Sequence, residues 1–552
     1  MKVVIVGGVA GGASAAARIR RLDERSEVVV FERGEEPSFA NCGLPYYVGG
    51  VIEDRRKLLV APKQMLTDRH RLDVRTHSNV LSIDRQQKTV HVRNLLTNQE
   101  YDEAYDKLIL APGAAPWRPD ITGINLPGVY TLRDLKDADV LHAAVARGVR
   151  SAVVVGAGFI GVEVAENLVH RGVQVTVIEL ANQILPPWDA EMVSPLQEQM
   201  ASRGVHFVLG ASATQIVTDG EQLTVTLSDG GTRETDMVIL AVGVRPENSL
   251  AKSAGIDCGP RGGIVTNEHM QTNDPDIYAV GDAVEVTDFN TGQKTQIPLA
   301  GPANRQGRIA ADHICGRPST YRGTQGTAIV GAFGMAAAMT GLSEKQLRRM
   351  EIPHERIYIH PSHHAGYYPG ARPMTLKLLF SPSDGRILGA QAVGWDGVDK
   401  RIDVLAIALQ AGMTVYDLEE VELCYAPQFG SAKDPINMAG FVAAGVLRED
   451  HPVAHATDLV SERPEDVFVL DVRTQGEWDA ARVTGATHIP LEQLRSRLHE
   501  VPTDSKTIAY CKVGQRGYLA TRILLQSGRA AANLSGGITS WQMANGETVG
   551  GD

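Results

Sequence analysis

"SAVVVGAGFIGVEVAENLVHRGVQVTVIE", residues 151 to 179, decides the fold. A short apolar run reaches Gly156, Gly158 and Gly161, an amphipathic stretch follows, and a second apolar run ends on Glu179. This reads as strand, glycine turn, helix and strand. Gly156 permits the tight turn and Gly158 lets the backbone approach a pyrophosphate. Gly161 packs the helix on its strand and aims its N-terminus at the phosphates. Phe159 and Ile160 open the helix and Glu163 follows them, all three next to the bound nucleotide. Glu179 can accept hydrogen bonds from both ribose hydroxyls, and no arginine follows it in "ELANQ", which favours NADH over NADPH.

The same unit stands at the start of the chain, as "KVVIVGGVAGGASAAARIRRL" (2–22) followed by "EVVVFE" (27–32). Its turn is less regular: Gly7, then Val9 where the second glycine belongs, Ala10, Gly11 and Gly12. Glu32 is its ribose acid, with Arg33 beside it. Two dinucleotide sites in one chain imply a hydride passed from one to the other. Between the units "YDKLILAPGAAPWRP" is a strand ending at Pro112 and Gly113. "MVILAVGVRPE" and "IYAVGDAVEV" are two further strands that end in glycine. From about 325 to 445 the pattern becomes mixed α+β, and "LREDHPVAHATD" reads as a polar linker. The last hundred residues restart as a small separate α/β domain.

The 552 residues are too many for one core. With 43% apolar and 22% charged residues the chain reads as a soluble globular protein. A net charge of −11 offers no basic footprint for nucleic acid. Five widely spaced cysteines form no disulfide framework, and no CxxC or HExxH spacing indicates a metal. "MKVVIVGG" does not read as a signal peptide, and no apolar run is long enough to span a membrane. The expectation is a cytoplasmic protein.

The order of the motifs resembles the FAD-dependent pyridine nucleotide–disulfide reductases: a first fingerprint with Glu32, "LILAPG" (108–113), a full NAD fingerprint, then "IYAVGDA" (277–283). The resemblance implies FAD in the first site, with Gly281 and Asp282 at its ribityl chain and Ala303 near its ring. It also bears on "SFANCGLPYY" (38–47). Many members carry a CxxxxC pair near the flavin, whereas Cys42 stands alone. A single thiol forms no internal disulfide and rests as thiolate, sulfenate or mixed disulfide.

In that single-cysteine branch, oxidases and peroxidases place a histidine in the first glycine turn, where this chain has Ala10. "GGVAGGAS", "RIRRLD" and "SFANCGLP" instead resemble the coenzyme A-disulfide reductases. That group implies a mixed disulfide of Cys42 with coenzyme A, assisted by two tyrosines of a partner subunit. The matching residues are Tyr367 (with Tyr368 as rival) and Tyr425. Ser14, Arg18 and Arg21 share one face of the first helix as a positive stripe for coenzyme A phosphates. Ser38, Asn41 and Lys433 join them by resemblance, while His70 stands where some members have lysine. Cys258, Cys315 and Cys424 read as structural, and "HPSHH" (360–364) as a loop.

The tail resembles a rhodanese domain, in "VLDVRTQGEWDAARVTGATHIP" and the loop "YCKVGQRG". The loop lies between a strand and a helix, so the amides of Lys512 to Gly517 point inward around Cys511. These donors and Arg516 are expected to lower its pKa and hold a persulfide.

The resulting fold is α/β, with two Rossmann-like dinucleotide-binding domains, an α+β dimerisation domain and a small α/β rhodanese domain. The expected boundaries are 1–110 with 246–324 for FAD, 111–245 for NAD, 325–445 for dimerisation, 446–456 for the linker and 457–552 for rhodanese. The expected activity is NADH-dependent reduction of persulfides or polysulfides by a homodimer, with Cys511 as sulfur carrier and no metal. The alternatives are a coenzyme A-disulfide reductase with an accessory tail and a sulfurtransferase whose flavin half senses redox state.

Overall fold

A computed structural model of the chain describes residues 1–464 and 466–550, so Glu465 and residues 551–552 of the expected last domain lie outside it. The chain divides into two compact units, 1–182 with 204–324 and 183–203 with 325–552.

The first unit contains the repeated motif, and the repeat extends well beyond strand–turn–helix. Lys2–Val6 lies between Glu27–Phe31 and Lys107–Leu110 in a parallel sheet closed by Asp73–Arg75 and Ile277–Ala279. Ser151–Val155 lies in the same way between Gln174–Glu179 and Met237–Leu240 in a second parallel sheet. Each sheet inserts a three-stranded antiparallel meander before a strand that flanks its central one: 78–104 before Lys107–Leu110 in the first and 213–235 before Met237–Leu240 in the second. The two halves are joined by the short pair Ala114–Pro116 and Val244–Pro246. The central strands are almost wholly buried, as expected of parallel strands covered by helices on both faces.

Helix Ala10–Leu22 packs on helix Ala300–Ile314. The approach is so close that a Cβ on Gly307 would stand 2.2 Å from the Gly11 carbonyl oxygen.

The second unit has two five-stranded sheets among the described residues. The first is antiparallel, in the order Ala328–Ala332, Met335–Gly341, Ile387–Gly394, Met374–Phe380, Glu355–Ile359. Helices Val398–Gln410 and Pro435–Leu447 pack against its strands. The second is parallel, in the order Val453–Ala454, Ala531–Leu534, Lys506–Tyr510, Val467–Asp471, Thr487–His488.

Two stretches differ from the sequence reading. The expected linker 446–456 is built into the fold. Helix Pro435–Leu447 runs into it, and Val453–Ala454 becomes an edge strand. Its histidines made the stretch look polar, yet His451 and His455 are buried. Burial pushes both down, His451 to about 4 and His455 to about 3. Residues 183–203, expected in the NAD domain, belong to the second unit.

A buried ion cluster explains the second difference. Lys377 Nζ donates to Asp189 at 2.8 Å and to Glu191 and Glu344 at 2.6 Å each. Tyr358 donates to Glu191 at 2.8 Å, and Gln391 donates to Asp189 at 2.6 Å. Three carboxylates thus meet one ammonium, and two of them come from the 183–203 segment. Among the described residues no helix is long and apolar enough to cross a membrane.

Candidate active site

The two glycine turns are cut to the same pattern. Gly156 adopts φ +104°, and a Cβ there would stand 2.4 Å from the Ala241 carbonyl oxygen. Gly7 adopts φ +99° and would collide with the Ala111 oxygen at 2.1 Å. Only glycine fits such a position. Nothing lies within 4 Å of where a Gly158 Cβ would point, so that edge of the turn is open for a pyrophosphate.

Both acids expected at a ribose are held by backbone amides of the adjacent turns. Glu32 accepts from the amides of Gly8 and Gly34, each at 2.8 Å. Glu179 accepts from Ala157 at 2.7 Å and Ala181 at 2.9 Å. Each carboxylate keeps further lone pairs for hydroxyl donors. In the first turn Val9 caps helix Ala10–Leu22, which Ala10, Gly11 and Gly12 begin.

Asp282 lies in the short turn Gly281–Ala283, whose Gly281 amide donates to Gln306 at 2.7 Å. Burial pushes its carboxyl up, and no hydrogen-bond partner is found for that carboxyl among the described residues. Ala303 is buried nearby on helix Ala300–Ile314. The Asp282 carboxyl beside the first glycine turn fits FAD in the first half, and the open edge at Gly158 fits NAD in the second. Arg33, expected beside the nucleotide, meets a side-chain partner within its own unit. Its guanidinium grips Glu247 with two bonds of 2.7 and 2.9 Å, so its charge is already met. Pro112 and Gly113 end the connecting strand, and Gly113 accepts from the Glu247 amide at 3.0 Å.

The Cys42 loop is tied to the first turn. The Ser38 amide donates to the Gly8 carbonyl at 2.8 Å, with Ser38 itself at φ +50°. Cys42 lies in the turn Asn41–Gly43, ahead of helix Leu44–Val48, and its surface is exposed. Enough protein surrounds the sulfur that desolvation, followed by the carboxylates of Glu163 and Asp282, pushes the thiol up. Burial also pushes Glu163 up to about 7. Tyr46, not singled out from the sequence, donates to Glu163 at 3.4 Å and is pushed to about 12, chiefly by burial. Its signal was the four-residue spacing from Cys42. Glu163→Gln removes one negative neighbour, so the Cys42 thiol is expected to titrate at lower pH. The pH dependence of alkylation at the Cys42 peptide, followed by mass spectrometry, reads this directly.

The expected coenzyme A stripe is only partly free. Arg18 pairs with Asp312 at 2.7 Å, both largely buried, and Ser14 donates to Asn304 at 2.6 Å. Both partners sit on helix Ala300–Ile314. Arg21 and Asn41 remain exposed. His70 offers its carbonyl to the buried Arg20, at 2.9 Å.

In the second unit Tyr367 and Tyr425 come together, their hydroxyls 2.9 Å apart and both rings exposed. That bond pushes Tyr367 up. Tyr368 instead meets the His364 ring edge-on. A buried ion pair staples the two loops: Arg401 donates to Asp434 and to the His363 carbonyl, each at 2.8 Å. Lys433 lines a recess with Glu419, Glu420 and Glu422. Cys424 is exposed, and Cys258 and Cys315 pack against the core of the first unit. His360 bonds Thr375 and Ser540 at 2.8 and 2.9 Å, so it is a packed residue of the fold.

Cys511 ends strand Lys506–Tyr510 and is buried. Of the expected loop amides, that of Gly514 donates to its Sγ at 3.2 Å. The Cys511 carbonyl accepts from Ile538 at 2.8 Å, which fixes the base of the loop. Arg516 binds Glu477 with two bonds of 2.7 Å. Asp471 and Arg473 of the DVR element form a buried pair at 2.6 Å under the Tyr510 ring.

Three family descriptions match the chain: pyridine nucleotide-disulphide oxidoreductase over residues 1–307, its dimerisation domain over 327–434, and rhodanese-like domain over 455–544. A coenzyme A disulfide reductase of Staphylococcus epidermidis is 38% identical over 444 residues, which is 80% of this chain and 99% of that one. The structure of reduced Bacillus anthracis CoADR-RHD superposes with a TM-score of 0.96 at 47% identity, covering 98% of both chains. A NAD-dependent persulfide reductase from A. fulgidus superposes at 0.92 and 35% identity, covering 98% of this chain and 100% of that one.

Proposed function

Because the chain belongs to the pyridine nucleotide-disulphide oxidoreductases, we propose that it reduces persulfides and polysulfides with electrons from NADH. The observation that carries this reading is a second cysteine chemistry joined to the first. Cys42 is a solitary thiol beside a flavin cradle, and Cys511 sits on a loop whose amide points at its sulfur.

FAD, held by the Gly7–Gly12 turn, Glu32 and Asp282, supplies the relay from a nicotinamide hydride to sulfur. The residues of the chain do the rest. Cys511 takes sulfane sulfur from a persulfide or polysulfide, and coenzyme A carries it as coenzyme A persulfide. The Cys42 thiolate attacks the inner sulfur of that persulfide, the S–S bond breaks, and hydrosulfide leaves with the electron pair. A mixed disulfide of Cys42 with coenzyme A remains. Two electrons and a proton then release the coenzyme A thiol and regenerate the Cys42 thiolate. Tyr367 and Tyr425, supplied by a second copy of the chain, donate a hydrogen bond or a proton to the leaving sulfur. Arg21, Ser38, Asn41 and Lys433 hold coenzyme A, with Ser14 and Arg18 set by their bonds on the adjoining helix. The matching dimerisation domain supports a homodimer, and five unpaired cysteines suit the reducing cytoplasm.

The match to a coenzyme A disulfide reductase over 80% of the chain favours a second reading, in which the disulfide is the substrate and the tail is accessory. Anaerobic NADH oxidation by the wild type and Cys511→Ser separates the two. Persulfide or polysulfide turnover is expected to fall by about tenfold or more in the variant, while coenzyme A disulfide turnover holds. Equal retention of both activities would discard the relay and leave the disulfide reductase.

A further inference from the structure

Glu477 and Arg516 are 39 positions apart and meet only through folding, in a two-bonded pair beside Cys511. Arg516 faces the Cys511 sulfur as well. Glu477 is fixed from its other side by Thr474, whose amide and hydroxyl donate to it at 3.1 and 3.0 Å in a capping box. Arg516 holds its carboxyl down to about 2, so it is ionised under any working condition. The neighbouring Lys512 is exposed and makes no ion pair among the described residues.

We propose that Glu477 sets the sulfur-donor selectivity of the Cys511 site, admitting singly charged thiol persulfides and rejecting the thiosulfate dianion. The inference rests on the reading of Cys511 as a sulfur carrier. Without Glu477 the mouth would offer two cations, Arg516 and Lys512. With it, the Arg516 charge is cancelled by a carboxylate held beside it. Repulsion scales with the product of the charges, so a dianion is penalised more than a monoanion. With a persulfide R–S–S⁻, the Cys511 thiolate attacks the outer sulfur, a new S–S bond forms as the old one breaks, and the electron pair leaves on RS⁻. With thiosulfate the same attack expels sulfite, which carries two negative charges past Glu477.

The test follows the gain of one sulfur by Cys511, read by quenched-flow mass spectrometry on the full-length holoenzyme without NADH. The donors are cysteine persulfide, whose net charge is −1, and thiosulfate. Glu477→Gln keeps the capping box, since glutamine serves at that position. The variant is expected to raise the thiosulfate-to-persulfide rate ratio about tenfold, with a gain that fades as salt is added. Adding Arg516→Gln is expected to abolish the gain. An unchanged ratio in Glu477→Gln, or a gain that survives Arg516→Gln, overturns the proposal. If Glu477→Gln does not fold, Lys512→Ala carries the test, because it alters only an exposed side chain. It is expected to slow thiosulfate more than persulfide, and equal slowing overturns the proposal. A wild-type Cys511 that accepts sulfur from neither donor overturns the carrier reading itself, and this inference with it.

Discussion

Replacing Cys42 by serine is expected to end NADH-driven turnover of both coenzyme A disulfide and persulfide, with residual rates below about a thousandth of the wild type. Serine keeps the size and the turn Asn41–Gly43, so the loop held by the Ser38–Gly8 bond should stay in place. What it removes is the sulfur nucleophile. Among the described residues the other cysteines cannot replace it within the first unit: Cys258 and Cys315 are half-buried against the core, and Cys258 Sγ lies 3.7 Å from the Ile256 carbonyl. Anaerobic NADH consumption is expected to stop after one equivalent per subunit, taken up by the bound flavin. Sustained turnover in Cys42→Ser would mean that the electrons leave by another route, and the sulfur chemistry assigned to this thiol would be wrong.

The second large effect is on stability. Lys377→Met leaves Asp189, Glu191 and Glu344 in the interior without their shared ammonium. Removing one partner of a buried pair costs about 3–5 kcal/mol, because a charge is left unmatched. For a unit of this size the unfolding midpoint should fall by about 10 °C. Burial disfavours the Lys377 ammonium, but Tyr358, Glu191, Asp189 and Glu344 outweigh it and hold its titration well above the ordinary value. Burial likewise opposes ionisation of Asp189 and Glu344. Lys377 outweighs it at Asp189, while His354, Lys377 and Arg356 do so at Glu344, so both carboxyls lie below the ordinary range.

A depressed carboxyl stabilises the fold above its unfolded pKa and loses that contribution as pH falls through the folded value. A raised lysine stabilises below its unfolded pKa and loses that only as pH rises through the folded value. The cluster therefore contributes fully between about pH 5 and 10. In Lys377→Met the deficit should shrink as pH falls toward 5, as the stranded carboxyls take up protons. Thermal melts of wild type and variant across that range would show it. A deficit independent of pH would mean that lost packing, not charge, is responsible.

The sequence by itself determined whatever rests on local backbone demands. Gly7 and Gly156 must take a left-handed conformation against a neighbouring carbonyl, so each turn could be read from its glycines. Glu32 and Glu179 followed at the end of the next strand, because the length of a βαβ unit sets where that strand ends. The change to a mixed α+β pattern near 325 was legible for the same reason, whereas Cys42 and the Cys511 loop were singled out by resemblance to known families. Tyr367 was recognised with Tyr368 as its rival, but the bond that unites it with Tyr425 joins residues 58 positions apart and appears only in the fold.

Tertiary structure decided the rest, through partners that chain distance hides. Arg18 looked like a free cation on a helix face until Asp312, 294 residues away, met it. Arg33 was placed by its neighbour Glu32, and the sequence did not show that it would also grip Glu247. The 446–456 stretch looked like a solvated linker, although its histidines are buried neutral in the fold. The ion cluster draws on positions 189, 191, 344 and 377, which no spacing relates. Periodicity and glycine placement report what each segment requires of its own backbone. Which charge meets which depends on burial, since only where water is excluded must every charge find a partner, and burial is a property of the packed molecule.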